Sequence, residues 1–184
     1  MSRSKLARVI YGLRIRIGPL LLIGIFLAAR PTWCSLAVGL GIAAVGLAIR
    51  AWAAGHIQKE KKLAVSGPYR HTRNPLYFGN FVLGIGIAAA TNSWWGGGLF
   101  LFYFGIFYPP VIVEERRRMK RLFPAEYADY AAHVPLFFPR LRPFSGYGAG
   151  RFRWSIYRKN REPRALAGTA FVWALLIAKM LFFR

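Results

Sequence analysis

"SGPYRHTRNPLYFGNF", residues 66–81, runs from a polar turn straight into apolar sequence. Gly67-Pro68 is a turn signal. Arg70, His71 and Arg73 follow, and Asn74-Pro75 leads into the apolar run. Proline disfavours helix at the residue before it, yet it suits the first helical position, where its missing N–H would have no partner. The stretch therefore predicts a basic turn that delivers the chain directly into a membrane helix. Such a helix start presents free N–H groups and a positive dipole end to a carboxylate or phosphate.

Outward from this point the chain alternates between apolar runs and basic links. Five apolar segments stand out, at about residues 15–29, 33–54, 76–91, 94–113 and 165–183. A helix needs roughly 20 residues to cross a ~30 Å hydrocarbon core. The second, fourth and fifth meet that length; the first and third are short, which little tilt, local thinning of the bilayer or snorkelling arginines accommodates. Residues 17–29 follow Arg14 and Arg16 as a signal peptide would, but Arg30-Pro31-Thr32-Trp33 is a poor cleavage site, so a retained first helix is expected. The expected fold is all-α, a polytopic integral membrane bundle forming a single domain over residues 1–184.

A net charge of +21 suggests either nucleic acid or an anionic membrane surface as partner. The apolar runs decide for the membrane and against nucleic acid. Of the 27 Lys and Arg, all but Arg30, Lys179 and Arg184 lie at residues 1–16, 55–75 and 114–164 or at Arg50. The positive-inside rule then places the N-terminus, the Gly67-Pro68 loop and residues 114–164 in the cytoplasm.

Within residues 114–164, Glu114 to Leu122 continues the fourth helix as a charged extension. Pro124 suits the start of a further helix, with Glu126 in its first turn, where the dipole favours an acid. Phe123, Tyr127, Tyr130 and Val134 share one face of that helix. Residues 144–155 read as loop.

Three constellations carry possible chemistry. Arg73, Asn74, Pro75 and Tyr77 lie at the third helix start; the alternative is that the arginines only supply inside-positive charge, and Arg70 fits that alternative better. Asn74, as a turn residue at the surface, is expected to contribute little to packing. Glu114-Glu115 are two of only six acids and sit at the end of an apolar helix. Carboxylates there are costly and often functional, although Arg116, Arg117 and Arg118 offer salt bridges. Being about 100° apart on a helix, one acid can face a cavity while the other pairs outward. Gly84-Ile85-Gly86 allows close approach of a helix or a ligand.

His56, His71 and His133 show no metal-ligand spacing with Cys34 or any acid, so no metal site is expected. No dinucleotide fingerprint, phosphate-binding loop or nucleophile elbow is present.

Taken in order, these motifs resemble the membrane methyltransferases of the isoprenylcysteine carboxyl methyltransferase and phospholipid N-methyltransferase group. The residues that carry the resemblance are Gly67-Pro68-Tyr69, Arg73-Asn74-Pro75-Leu76-Tyr77-Phe78-Gly79, Glu114-Glu115, Phe123-Pro124-Ala125-Glu126-Tyr127-Ala128-Asp129-Tyr130 and Val134-Pro135. Gly84 and Gly86 resemble the GxG of the phospholipid branch. The match covers roughly residues 50–140. Asn74 stands where the family has histidine and cannot become cationic; Pro124 stands where it has glycine.

The resemblance implies S-adenosylmethionine as cofactor and a lipidic methyl acceptor. By motif position it carries cofactor contacts onto Lys61, Lys62, Leu63, Ala64, Tyr69, Asn74, Pro75, Leu76, Tyr77, Gly84, Gly86 and Glu115, and more loosely onto His56. Arg73 and Glu115 are the candidate catalytic residues. A membrane reductase using NADPH and a non-catalytic lipid-binding protein are the alternatives.

Overall fold

The computed structural model describes residues 5–58, 62–146, 150–160 and 162–182. Its elements in chain order are α1 (Lys5–Ala28), α2 (Trp33–Ala54), a 3-10 turn (Gly67–Arg70), α3 (Pro75–Ala90), α4 (Trp94–Leu122), α5 (Pro124–His133), α6 (Trp154–Lys159) and α7 (Pro163–Phe182). The fold is an all-helical membrane bundle. By length and composition α2, α4 and α7 are each able to cross a bilayer, while Arg16–Ala28 and Pro75–Ala90 are shorter apolar helices.

Helix boundaries follow local chemistry. Thr32 caps α2 through a reciprocal pair with Ser35: Ser35 N donates to Thr32 Oγ1 at 3.1 Å and Thr32 N donates to Ser35 Oγ at 2.9 Å. Pro75 and Pro124 open α3 and α5, as their missing N–H predicts. Glu114 to Leu122 does extend α4. Two boundaries depart from expectation. The first helix begins at Lys5 rather than near residue 15, because its basic residues continue the same helix beyond the apolar stretch. Trp154 and Ser155 belong to α6 rather than to a loop.

The core of the bundle is the α2–α3 pair. Gly39, Ala43 and Gly46 of α2 face Gly79, Leu83 and Gly86 of α3, backbone against backbone. A Cβ at Gly46 would lie 2.5 Å from Leu83 N, and one at Gly86 would lie 2.5 Å from Ala43 N. Small residues at this spacing let two membrane helices meet closely. α1 runs beside α4, and α7 packs on α2 through buried Trp173, whose Nε1 donates to the Leu36 carbonyl at 3.3 Å.

The two ends of the bundle differ. At one end the short links meet: Arg30 N donates to Thr91 O at 2.8 Å, and Ser35 Oγ donates to Ala90 O at 3.1 Å. Lys179 of α7 reaches the same end and donates to the last carbonyls of α1, including Leu27 at 2.8 Å, where a cation suits the helix dipole. At the other end the described residues of segments 55–58, 62–74, 114–146 and 150–160, with Glu162, gather into a polar cap.

Candidate functional site

The cap is built around the turn at Gly67–Arg70. Gly67 has a φ of +58°, and a Cβ there would lie 2.6 Å from the His56 ring, so both conformation and space require glycine. The following residues are stitched to the segment after α5. Tyr130 Oη donates to Tyr69 O at 2.7 Å, Arg73 N to Pro135 O at 2.9 Å, and Thr72 Oγ1 to Phe137 O at 2.8 Å. Asn74 Nδ2 donates to Leu136 O at 2.9 Å, Arg140 N to His71 O at 3.0 Å, and Arg70 Nε to Phe144 O at 2.6 Å. Backbone carbonyls of residues 135–144 thus hold the turn as a clamp, and the Arg70 side chain belongs to that scaffold. Asn74 is buried, with one amide donor committed to Leu136. The expectation that it contributes little to packing is corrected: it anchors two segments.

Beneath the clamp lies a cavity of about 480 Å³. It gathers residues that are far apart in sequence: Lys62, Leu63, Ala64, Tyr69, Arg73, Asn74, Pro75, Leu76, Tyr77 and Glu115 all line it. Tyr127 and Tyr130 close one side from α5, and with Val134 and Leu63 they form a small apolar cluster behind the cavity wall. The two acids divide as the helical geometry predicts. Glu115 faces the cavity, while Glu114 sits 3.7 Å from Arg121.

Apart from the atoms of the Arg50–Glu162 ion pair, two buried polar atoms on the lining residues, Tyr69 Oη and Arg73 Nε, have no hydrogen-bond partner among the described residues. Such atoms cost about 1–3 kcal/mol each when left unpaired. Burial pushes the Tyr69 hydroxyl well above the usual tyrosine range, and neighbouring Tyr130 and Glu115 add to the shift. Its folded pKa being raised, the hydroxyl is a proton donor throughout the neutral range, and its ionisation would oppose folding only above the ordinary tyrosine pKa. Arg73 Nη1 also donates to Tyr127 Oη at 3.2 Å, and its guanidinium lies 5.8 Å from the centre of that ring.

Other expected contacts lie elsewhere. Gly84 and Gly86 do not line the cavity: Gly84 lies against the Phe100 ring and Gly86 against the α2 backbone. Their lack of a side chain serves helix packing, which a GxG signal cannot distinguish from a ligand contact. The His56 ring nitrogens face the carbonyls of Trp52 at 2.9 Å and Gly150 at 3.1 Å, and the residue borders a neighbouring cavity instead. Lys61 lies outside the described residues.

The sequence reading missed the cavity floor. Arg50 Nε lies 2.6 Å from Glu162 Oε1, and the same guanidinium donates to Asn80 Oδ1. Asn160 donates to the carbonyls of Ala54 at 2.9 Å and Ile57 at 3.2 Å. All four residues border the cavity. The available signal was Arg50 itself, a lone charge in an otherwise apolar helix.

Fold and site together define an α-helical integral membrane protein with a polar cavity at one end of its bundle. The family model for phospholipid methyltransferase matches residues 20–126. The chain belongs to that family. The match begins within α1, runs through the Glu-Glu motif and ends in α5; α6 and α7 lie outside it. The nickel-cobalt-cadmium resistance protein NccN of Alcaligenes xylosoxydans xylosoxydans is 40% identical over 121 residues, covering 61% of this chain and 55% of its own length. The cobalt-zinc-cadmium resistance protein CzcN of Cupriavidus metallidurans is 37% identical over 134 residues, covering 70% of this chain and 62% of its own length. The chain thus spans less than two thirds of these curated relatives. No solved structure matches significantly.

Proposed function

We propose that this chain transfers a methyl group from S-adenosylmethionine to a lipidic acceptor, either the carboxylate of a prenylated thiol compound or the amine of a lipid. The observation that carries the reading is the pair of buried donors without a partner among the described residues, Tyr69 Oη and Arg73 Nε, on the wall of a cavity that Glu115 also lines. The donor set fits the cofactor. Its carboxylate and hydroxyls would accept a hydrogen bond from Tyr69, its hydroxyls and amino groups would donate to Glu115, and the Arg73 guanidinium is left for the acceptor. The volume lies within the roughly 300–1,000 Å³ of small-molecule sites.

When bound, S-adenosylmethionine supplies a sulfonium methyl group for direct displacement, which needs no metal and no covalent enzyme intermediate. The protein's contribution is alignment and exclusion of water. Glu115 and the residues from Lys62 to Ala64 hold the cofactor's polar groups. Tyr69, Tyr77 and Tyr127 surround the cationic centre with aromatic surface. Arg73, with Arg116 and Arg118 on the same cavity, orients an acidic group of the acceptor. Asn74 holds the clamp over the site.

The cationic lining, Arg50, Lys62, Arg73, Arg116 and Arg118, also suits the phosphates of NADPH. Calorimetric titration of the purified full chain in detergent with S-adenosylhomocysteine and with NADPH separates the readings. Saturable binding of the first alone supports methyl transfer; binding of NADPH alone overturns it.

The charge distribution supports a cytoplasmic cap. In a Cys34→Ser background, cysteines replacing Lys62 and Arg153 should react only when the inner face is accessible. The relatives' names supply a physiological setting that we extend to this chain: its deletion should lower growth in cobalt or cadmium.

A further inference from the structure

Residues 135–144, "PLFFPRLRPF", are more than a clamp. Phe137 points into the bundle: its ring centre lies 5.9 Å from Phe81 of α3 and 5.9 Å from Phe104 of α4, and it packs against the buried Phe104, Tyr108 and Ile112 cluster. Those partners belong to the apolar helices. Phe137 therefore sits at membrane depth, and the residues beside it emerge where the bundle meets the headgroups. There the chain exposes its apolar side chains: Phe138 is 68% exposed and Leu141 is 96% exposed. Exposed Arg140 and Arg142 alternate with them, between Pro139 and Pro143.

An aqueous loop would gain nothing from this composition. Large apolar groups interleaved with arginine suit the boundary between acyl chains and anionic headgroups. The loop is also fastened to the turn at residues 71–74, to which Leu136, Phe137 and Arg140 are each hydrogen-bonded. We infer that residues 138–142 form a finger that docks on the anionic surface of the same bilayer that the helices span, Phe138 and Leu141 inserting and Arg140 and Arg142 meeting acidic headgroups. Phe137 links the finger to the apolar helices, its ring lying against Phe78 and Phe81 of α3, Phe104 of α4 and Phe138 of the finger, and the arginines of the finger match an acidic lipid surface. The finger is bonded to the turn that covers the cavity, so docking fixes the position of the cavity's own wall. The inference holds whatever reaction the cavity serves.

The test is a depth measurement on the full chain in nanodiscs of phosphatidylcholine with phosphatidylglycerol. With Cys34→Ser as background, a nitroxide is attached through Leu141→Cys, and a control through Lys120→Cys. The label at position 141 should be several-fold less accessible to a water-soluble nickel chelate, relative to oxygen, than the control. Adding Arg142→Gln should make it shallower. Equal chelate accessibility at positions 141 and 120 overturns the inference. Dipolar broadening between labels at position 141 would show a second copy of the chain covering the finger, and would overturn it equally. Leu141 is almost fully exposed, so neither substitution threatens folding.

Discussion

The side-chain amide of Asn74 donates to the backbone carbonyl of Leu136 at 2.9 Å, and this one contact fastens the entrance of α3 to the segment beyond α5. The residue that replaces the family's histidine therefore serves the scaffold as well as the cavity. Asn74→Ala should lower stability by about 1–3 kcal/mol, the range for an orphaned buried polar group, and should also weaken S-adenosylhomocysteine binding. Asn74→His should recover both, because a ring N–H again supplies a donor. Thermal unfolding and calorimetry in detergent read the two effects. Loss of binding at unchanged stability in Asn74→Ala would mean that the Leu136 contact matters less than direct contact with the ligand.

The acids at positions 114 and 115 should separate under the same substitution. Glu115→Gln is expected to reduce S-adenosylhomocysteine affinity about ten- to a hundred-fold, the equivalent of a lost charge-assisted hydrogen bond of roughly 1.5–3 kcal/mol. Glu114→Gln removes only a partly buried partner of the exposed Arg121 and should change affinity little. Equal, small effects would assign both acids to charge balance.

The Arg50–Glu162 pair is largely buried. Removing one member leaves the other charge uncompensated, at a cost of about 3–5 kcal/mol, whereas replacing both with apolar residues is often nearly neutral. Glu162→Gln should therefore destabilise the bundle, and Arg50→Met combined with Glu162→Leu should restore most of the loss. A double-mutant cycle measured by unfolding in detergent checks this. Additive losses would show that the two residues act independently.

Gly46 and Gly41 provide an internal comparison on one helix. A Cβ at Gly46 meets α3 backbone at 2.5 Å, while one at Gly41 meets nothing within 4 Å. Gly46→Ala should destabilise by about 1–3 kcal/mol through overpacking. Gly41→Ala should be neutral or slightly stabilising, since alanine is the better helix former by up to about 1 kcal/mol. The same unfolding assay distinguishes them.

By itself the sequence determined the features with a local or compositional cause. Bilayer-length apolar runs set the helices, because a buried backbone in lipid must satisfy its own hydrogen bonds. Pro75 and Pro124 fixed two helix starts, and adjacency on a helix split Glu114 from Glu115. Tertiary structure alone decided how these parts meet. The clamp on residues 69–74 is made largely with backbone carbonyls, which every residue type carries, so no side-chain pattern announces it. Gly84 and Gly86 read the same whether a ligand or a helix approaches, and only the neighbouring backbone and rings chose the helix. Arg50 and Glu162 lie in segments far apart in the chain, and their pairing required α7 to return beside α2. A charge in an apolar helix signals that a partner exists; only the packed bundle says which one it is.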